Sequence, residues 1–160
     1  MANKKENNLL EFHETTDYLM EQMDKMLNEY VDINSITEFQ ESCAGAGKLI
    51  DYLKKYNLTI TGYDIEKRTN RNDILICNYL KEKIEYKRGR CSFINPPFHL
   101  GIKFIYKALE EGDWCVALMS KSSIMNIDYD RYDVEQIWIY NKQDFSSCKA
   151  DVCILIIKNN

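Results

Sequence analysis

Seven short apolar runs constrain the fold of this chain more strongly than any other feature of its sequence. The runs are nearly continuous in apolar residues, which is typical of parallel strands that are covered on both faces. We therefore predict an α/β fold with a seven-stranded, mostly parallel sheet, and strands at residues 36–43, 58–65, 74–78, 91–95, 114–120, 136–140 and 151–158. No convincing helical pattern separates the last two runs, so we expect an antiparallel strand at the C-terminal edge of the sheet.

Helical patterns lie between the strands and are expected to cover both faces of the sheet. They occupy residues 47–56, 79–87 and 100–111. A further amphipathic helix is predicted to begin at Thr15 or Thr16, where a threonine cap precedes apolar residues spaced three and four apart. A length of 160 residues suits one domain, which we place at 14–160 behind a polar tail at 1–13.

The composition is that of a globular protein and excludes several other classes. Hydrophobic residues make up 45% of the chain and charged residues 29%. No apolar run is long enough to cross a bilayer, and the N-terminus lacks the apolar core of a signal peptide, so we expect a cytoplasmic protein. The six cysteines form no CxxC pair and are accompanied by only two histidines, which favours reduced thiols and no metal site.

Charge is unevenly distributed along the chain. The formal net charge is −4, so the whole molecule is not a general polyanion binder. Residues 67–90, however, carry eight lysines and arginines against three acidic residues. This stretch is either a solvated helix and loop or a local basic edge that meets a phosphate backbone.

The segment ESCAGAGK, residues 41–48, follows the first predicted strand and leads into a helix. Gly45 and Gly47 allow a tight turn and a close approach of the backbone to a ligand at the helix start. The lysine is not placed as in a Walker loop, and a glycine pair alone is equally typical of an ordinary turn. Asp64, at the tip of the second strand, is well placed to accept hydrogen bonds from both ribose hydroxyls of an adenosine-containing ligand.

The third and fourth strands also end in polar and aromatic residues. Asn78 and Tyr79 can either read and stack on an adenine or cap a helix. The only two prolines of the chain stand together in the tetrad Asn95-Pro96-Pro97-Phe98. They stiffen a backbone that presents the Asn95 side-chain carbonyl and the Pro96 backbone carbonyl, two acceptors that suit an exocyclic amine. Phe98 then offers a flat face on which a planar group can stack.

These four motifs together resemble the S-adenosylmethionine-dependent amino-methyltransferases, and most closely the adenine-N6 DNA methyltransferases. That family carries (Asn/Asp)-Pro-Pro-(Tyr/Phe) after strand four and acidic-x-x-x-Gly-x-Gly after strand one. Here the motifs occur in the family order, and the resemblance extends from about Glu14 to the C-terminus. It implies a Rossmann-like class I methyltransferase fold, S-adenosylmethionine as the cofactor and nucleic acid, chiefly DNA, as the partner.

The resemblance also implies a role for each matched residue. The catalytic positions are those of the tetrad, namely Asn95, Pro96, Pro97 and Phe98. The cofactor-binding positions are Thr15, Glu41, Cys43, Gly45, Gly47, Asp64, Ile65, Asn78 and Tyr79. Among these, Thr15 helps to hold the cofactor carboxylate and Tyr79 takes the place of a stacking phenylalanine. Phe145 is interpreted as a second wall of the base pocket.

Two departures from the family pattern keep other functions open. Asn78 replaces the usual aspartate, although its carbonyl can still accept a hydrogen bond. We find no segment of the size of a target-recognition domain, so target reading would fall to loops such as 121–132, to residues 67–90 or to a protein partner. The alternatives are a methyltransferase of the same fold that acts on RNA or on protein glutamine, and a catalytically silent binding or regulatory protein.

Overall fold

The structure is a computed structural model, and it describes residues 14–145 and 149–159. The predicted tail at 1–13 and Cys148 lie outside the described residues. The seven strands are β1 Glu38–Glu41, β2 Thr59–Asp64, β3 Ile74–Ile76, β4 Arg90–Ile94, β5 Trp114–Ser120, β6 Tyr132–Asp144 and β7 Lys149–Asn159. The α-helices within this part of the chain are α1 Asp17–Tyr30, α2 Lys48–Leu53 and α3 Gly101–Glu111. Short 3₁₀ turns occupy Ile33–Ser35, Lys54–Tyr56, Tyr79–Lys81, Phe98–Leu100 and Lys121–Asn126.

The seven strands form one mixed sheet in the order β3-β2-β1-β4-β5-β7-β6. Strands β1 to β5 are parallel to one another, and β7 is antiparallel to both of its neighbours. The predicted fold class is confirmed, with the antiparallel strand at the C-terminus. Its place between β5 and β6 follows from its composition, because residues 152–157 are apolar without interruption and fully buried. The outermost strand on this side is β6, whose residues are mostly half-buried or exposed.

Helices pack on both faces of the sheet and create two apolar layers. On one face, α1 and α2 bury Leu19, Met23 and Leu53 against strand residues that include Phe39 and Phe93. On the other face, α3 packs its buried side against alternate residues of the central strands, namely Ile94, Cys115, Ala117, Met119, Cys153, Leu155 and Ile157. The central strands β4, β5 and β7 are thus buried on both sides, as their continuous apolar runs predicted.

The N-terminal helix begins where the threonine cap predicted it. Thr16 is the N-cap residue, and its side chain accepts a hydrogen bond from the Leu19 amide at 3.3 Å. Asp17 occupies the first turn, where a carboxylate interacts favourably with the helix dipole. This cap fixes the segment immediately before α1, which lies next to the ends of the central strands.

The helix predicted at 79–87 is absent, and the sequence prediction is wrong there. Only the turn Tyr79–Lys81 forms, and the chain then runs in irregular conformation to β4. Its backbone groups find partners on neighbouring elements instead of within a helix. Lys107 donates to the Glu82 carbonyl at 2.7 Å, Arg90 donates to the Glu85 carbonyl at 2.7 Å, and the Lys87 amide donates to the Glu111 carbonyl at 3.0 Å.

Two further findings concern membrane segments and cysteines. Within residues 14–145 and 149–159, no helix is long and apolar enough to cross a membrane. The five cysteines in these ranges, Cys43, Cys77, Cys91, Cys115 and Cys153, are free thiols. Burial raises the pKa of Cys91, Cys115 and Cys153, which keeps their thiols protonated at neutral pH.

Candidate functional site

The order of the strands places two of the predicted motifs side by side. The sheet reverses its winding between β1 and β4, which are neighbours, and ligands of such sheets bind beyond the carboxyl ends of the strands at this point. The loop after β1 and the tetrad after β4 therefore meet at one edge. A cleft opens between them, and it is lined by Glu14, Thr15, Glu41, Cys43, Ala44, Ala46, Lys48, Leu49 and Asn95.

The glycine loop has the backbone conformation that its two glycines predicted. Gly45 has a φ of 55° and Gly47 a φ of 89°, both in the left-handed region that favours glycine. Gly47 is also the residue before α2, and a Cβ at this position would lie 2.4 Å from the Arg71 guanidinium. The loop is closed by two backbone bonds of 2.8 Å, from the Ala44 amide to the Tyr63 carbonyl and from the Gly47 amide to the Ala44 carbonyl.

Asp64 ties this loop to the end of β2. Its Oδ2 accepts from the Gly45 amide at 2.8 Å, and its Oδ1 accepts from the Glu66 amide at 2.9 Å. Arg68 Nε lies 3.4 Å from the same Oδ1, and the Asp64 side chain is only 6% exposed. In this arrangement Asp64 holds the glycine loop closed, and it does not line the cleft described above. Ile65 and Asn78, which are half-buried, do not line that cleft either.

Glu41 is a buried carboxyl group at the base of the cleft. It is 1% exposed, and its Oε1 accepts a hydrogen bond of 2.8 Å from the Cys43 amide. Burial raises the pKa of Glu41 to about 8; the hydrogen bond from Cys43 opposes this shift and the charge of Asp64 adds to it. The side chain is therefore largely protonated at neutral pH, and a cation bound nearby would favour its ionisation.

This raised pKa predicts how Glu41→Gln changes the pH dependence of stability. The pKa of Glu41 is about 8 in the folded chain against a model value of 4.5, so the folded state binds more protons in this window. The free energy of unfolding therefore falls as the pH rises from about 4.5 through about 8. Glu41→Gln removes this loss. We expect its thermal midpoint to match the parent near about pH 5 and to exceed it increasingly toward about pH 8.5.

Thermal unfolding of the two proteins over this pH range checks the prediction. The exposed Glu66→Gln variant is the control and should follow the parent at every pH. Parallel profiles for Glu41→Gln and the parent would contradict a protonated carboxyl at this position.

Lys48 is a cleft residue that sequence reasoning missed. It is the first residue of α2, lines the cleft and forms an ion pair of 3.1 Å with Asp17 Oδ1. The signal was present in the sequence, because Lys48 follows Gly47 directly at the start of the helix. Its position does not match the Walker pattern, in which the lysine follows GxxxxG. The cleft thus carries an ammonium group and a carboxyl group, from Lys48 and Glu41.

The tetrad forms a rigid turn at the end of β4. Pro96 and Pro97 are buried, and the Pro97 carbonyl accepts the Leu100 amide at 2.9 Å to begin the next turn. The Asn95 amide nitrogen donates to Thr15 Oγ1 at 2.9 Å. The half-buried Phe98 ring contacts Phe145 edge-on, with centroids 5.9 Å apart and an interplanar angle of 80°.

Tyr79 lies in the core rather than in the cleft. It is 3% exposed, stacks on Phe104 at a centroid distance of 5.7 Å and donates its hydroxyl to Glu111 at 2.6 Å. Burial, together with the charge of Glu111, raises the pKa of Tyr79. This placement does not support the cofactor-stacking role that the resemblance implied, because the ring is enclosed by core residues.

In the described part of the chain, four of the eight lysines and arginines at 67–90 form ion pairs, namely Arg68, Arg71, Lys87 and Arg90. Arg71 bonds Asp51 and Asp73, and Lys87 and Arg90 both bond Glu38. Arg90 also begins β4, so the end of this stretch lies at the amino edge of the sheet, opposite the tetrad. These positions disfavour the hypothesis that residues 87–90 contact a substrate held at Asn95.

Comparison of the sequence with protein-family models and with curated proteins found no match. Comparison of the fold with solved structures found many. One similar structure is a protein from Pyrococcus horikoshii that is described as a proposed RNA methyltransferase. It has a TM-score of 0.72 and 14% sequence identity, and the match covers 95% of this chain and 88% of that chain. The fold is that of a class I methyltransferase. The 23S rRNA methyltransferase ErmE gives a TM-score of 0.63 and 13% identity, covering 91% of this chain and 69% of its own.

A third structure with a similar fold contains the bound ligand SAH. This proposed methyltransferase from Streptococcus mutans, solved in complex with SAH, has a TM-score of 0.53 and 14% identity and covers 88% of this chain and 97% of its own. At these identities the comparisons establish the fold alone. Within the described residues, no group of three or more His, Cys, Asp or Glu side chains could hold a metal ion.

Proposed function

We propose that this protein is an S-adenosylmethionine-dependent methyltransferase that modifies the N6 amine of adenine in nucleic acid. One observation carries the proposal. The rigid Asn95–Phe98 turn after β4 borders a cleft after β1 that contains both a carboxyl group and an ammonium group. A planar amine and a zwitterionic cofactor can then be held at adjoining positions of one sheet edge.

The residues of the cleft fit the methionine end of S-adenosylmethionine. That end carries one ammonium group and one carboxylate, which pair with Glu41 and Lys48 respectively. Binding the ammonium group favours ionised Glu41, whose pKa is raised to about 8 by burial, so binding would release a proton from this site. When bound, the cofactor supplies an electrophilic methyl group. Asp64 would accept hydrogen bonds from the ribose hydroxyls, and Ile65 would pack against the adenine ring. Asp64 would first have to give up its contact with Arg68 in favour of the ribose.

The tetrad would supply positioning and polarisation rather than a strong base. The Asn95 side-chain carbonyl and the Pro96 backbone carbonyl would accept the two protons of the adenine amine. These bonds raise the electron density on the nitrogen and orient its lone pair toward the methyl group. As the new N–C bond forms, the bond between the methyl carbon and the cofactor sulfur would break and leave S-adenosylhomocysteine, and the amine proton would then pass to water. Neither acceptor needs an altered pKa, because both are neutral carbonyl oxygens.

Aromatic side chains would receive the target base. Phe98 offers a ring face beside Asn95, and Phe145 approaches it from the β6–β7 hairpin. A base in a duplex must leave the stack to reach this turn. Stacking on Phe98 would offset part of the free energy of unstacking.

RNA is a second candidate substrate beside DNA. It is favoured by the structural comparison, since the Pyrococcus horikoshii protein and ErmE are both described as RNA methyltransferases. The tetrad serves either nucleic acid, because the N6 amine of adenine is the same in both. Protein glutamine and a silent binding role remain as outcomes of the test below.

Methyl transfer from radiolabelled S-adenosylmethionine to duplex DNA, single-stranded DNA, structured RNA and protein extract tests the proposal. We expect label in a nucleic acid fraction. Label in protein alone would overturn it in favour of glutamine methylation. Calorimetry that shows no binding of S-adenosylmethionine would overturn it in favour of a silent binding protein.

Charge reversal is expected to affect nucleic-acid binding differently at the carboxyl ends and at the amino ends of the strands. Lys121 follows β5 directly at the edge that carries the tetrad, and it is exposed. Arg88 is exposed at the opposite edge, just before β4. We expect Lys121→Glu to weaken binding and to reduce the salt slope by about one. Arg88→Glu should leave the affinity unchanged.

Fluorescence titration of labelled nucleic acid at several salt concentrations measures both effects. The two variants make the same change of charge, so each is the control for the other. Weaker binding by Arg88→Glu with normal binding by Lys121→Glu would contradict the assignment of the substrate edge.

A further inference from the structure

The contact between Thr15 and Asn95 joins two segments that are 80 residues apart. Thr15 is 4% exposed, and its Oγ1 accepts the Asn95 Nδ2 hydrogen bond at 2.9 Å. An asparagine amide can be turned either way about its last torsion, which exchanges the positions of its donor and its acceptor. A hydroxyl fixed on one side of the amide hinders this rotation, and in the structure it accepts from the amide nitrogen, which defines the orientation that is held.

Thr15 is itself held rigidly. The next residue is joined to α1 through its backbone, because the Met20 amide donates to the Thr16 carbonyl at 3.0 Å. The buried face of α1, including Leu19 and Met23, is fully enclosed against the sheet. On the other side, Asn95 precedes two prolines, so its backbone is restricted as well. The hydrogen bond therefore connects two rigid parts of the fold.

We propose that Thr15 is a positioning residue, which orients the Asn95 amide so that its carbonyl oxygen faces the target amine. This inference rests on the proposed function, because it concerns the acceptor that the amine requires. With the amide nitrogen bonded to Thr15, the oxygen lies in the same plane on the other side of the Cγ atom, directed away from Thr15. The reverse orientation would present an N–H group to an N–H group, which repels the substrate.

This role differs from the one that the family resemblance implied for Thr15, which was to hold the cofactor carboxylate. The two roles make opposite kinetic predictions. A residue that holds the cofactor changes the dissociation constant for S-adenosylmethionine and leaves kcat at saturation unchanged. A residue that orients Asn95 lowers kcat and leaves the cofactor affinity unchanged.

Thr15→Val tests the proposal, because valine keeps the shape of threonine and removes the acceptor. We expect kcat at saturating S-adenosylmethionine to fall by about ten-fold, the equilibrium effect of one hydrogen bond of ordinary strength. Thr15→Ser keeps the hydroxyl group and should restore kcat to near the parent value. The cofactor dissociation constant, measured by calorimetry, should stay the same in all three proteins.

Two matched controls separate orientation from folding. Thr16→Val removes the neighbouring hydroxyl and the helix cap, so it should lower the thermal midpoint but not kcat. In an Asn95→Ala background, Thr15→Val should have no further effect on kcat, since the amide that it orients is gone. Unchanged kcat in Thr15→Val, or a weakened cofactor affinity with normal kcat, would overturn the proposal. Failure of the parent to methylate any polymer would instead overturn the proposed function.

Discussion

Replacing Asn95 by alanine is expected to lower methyl transfer by at least about 100-fold while the protein stays folded. The substitution removes one of the two carbonyl oxygens that would hold the target amine. It removes little packing, since the Asn95 side chain is short and only partly buried. The measurement is single-turnover methyl transfer with saturating cofactor, together with thermal unfolding.

Asn126→Ala is the matched control for Asn95→Ala. Asn126 is exposed at the end of the turn Lys121–Asn126, at the same edge of the sheet. Its replacement should leave transfer and stability close to those of the parent. Asn95→Ala with full transfer would contradict a catalytic role for the tetrad. A large drop in its thermal midpoint would mean that Asn95 is needed for folding.

Asp64→Ala is expected to impair both stability and cofactor binding. The carboxylate accepts backbone amides from Gly45 and Glu66 and lies beside the Arg68 guanidinium. Its removal leaves two amide groups without this acceptor and takes the carboxylate away from a largely buried arginine. The loss in the free energy of unfolding should be about 3–5 kcal/mol, as for breaking one side of a buried ion pair. Cofactor affinity should fall because the Gly45 amide loses its acceptor, which leaves the backbone bond from Ala44 to Tyr63 to join the glycine loop to β2.

Chemical denaturation and calorimetry with S-adenosylmethionine measure these two effects. Glu66→Ala is the control, because Glu66 also lies near Arg68, at 3.5 Å, but its side chain is 53% exposed. We expect a change of less than about 1 kcal/mol for this exposed pair. Equal stability of Asp64→Ala and Glu66→Ala would contradict the role assigned to Asp64 in closing the loop.

The sequence could predict the parts of the fold that depend on local pattern. The bounds of β5 match the predicted run at 114–120, and the helix after the tetrad begins at Gly101, one residue from its predicted start. The helix start could be predicted to within one residue, at Thr15 or Thr16, because a threonine cap precedes Asp17 and apolar residues spaced three and four apart. The placement of the tetrad after β4 followed from the strand pattern alone.

What could not be predicted depends on contacts between distant segments. The stretch after Tyr79 has a helical pattern, yet its carbonyls bond Lys107 and Arg90, which no local window reveals. Tyr79 lies in the core because its hydroxyl meets the buried Glu111, 32 residues away. The contact of Thr15 with Asn95 is equally nonlocal, so the sequence named both residues but not their hydrogen bond.

The charged residues of the site also show that local pattern was predictable and that contacts between distant segments were not. The family resemblance named Glu41 through the acidic-x-x-x-Gly-x-Gly pattern, and Asp64 was identified because it stands at the tip of the second predicted strand. Nothing in the sequence indicated that Asp64 is occupied by the Gly45 and Glu66 amides. The charge pattern left residues 67–90 as either a solvated helix and loop or a local basic edge, and it could not show that Arg71 and Arg90 lie apart and are each paired with carboxylates.

The chemical identity of the methylated atom tests the central claim most directly. Nucleic acid methylated by the parent protein with isotopically labelled S-adenosylmethionine is digested to nucleosides and analysed by mass spectrometry. We predict that the labelled methyl group appears on the N6 amine of adenine, and that this product is absent with Asn95→Ala. Label on a ring nitrogen, a ring carbon or the ribose would contradict the account, because two carbonyl acceptors at the tetrad select an exocyclic amine.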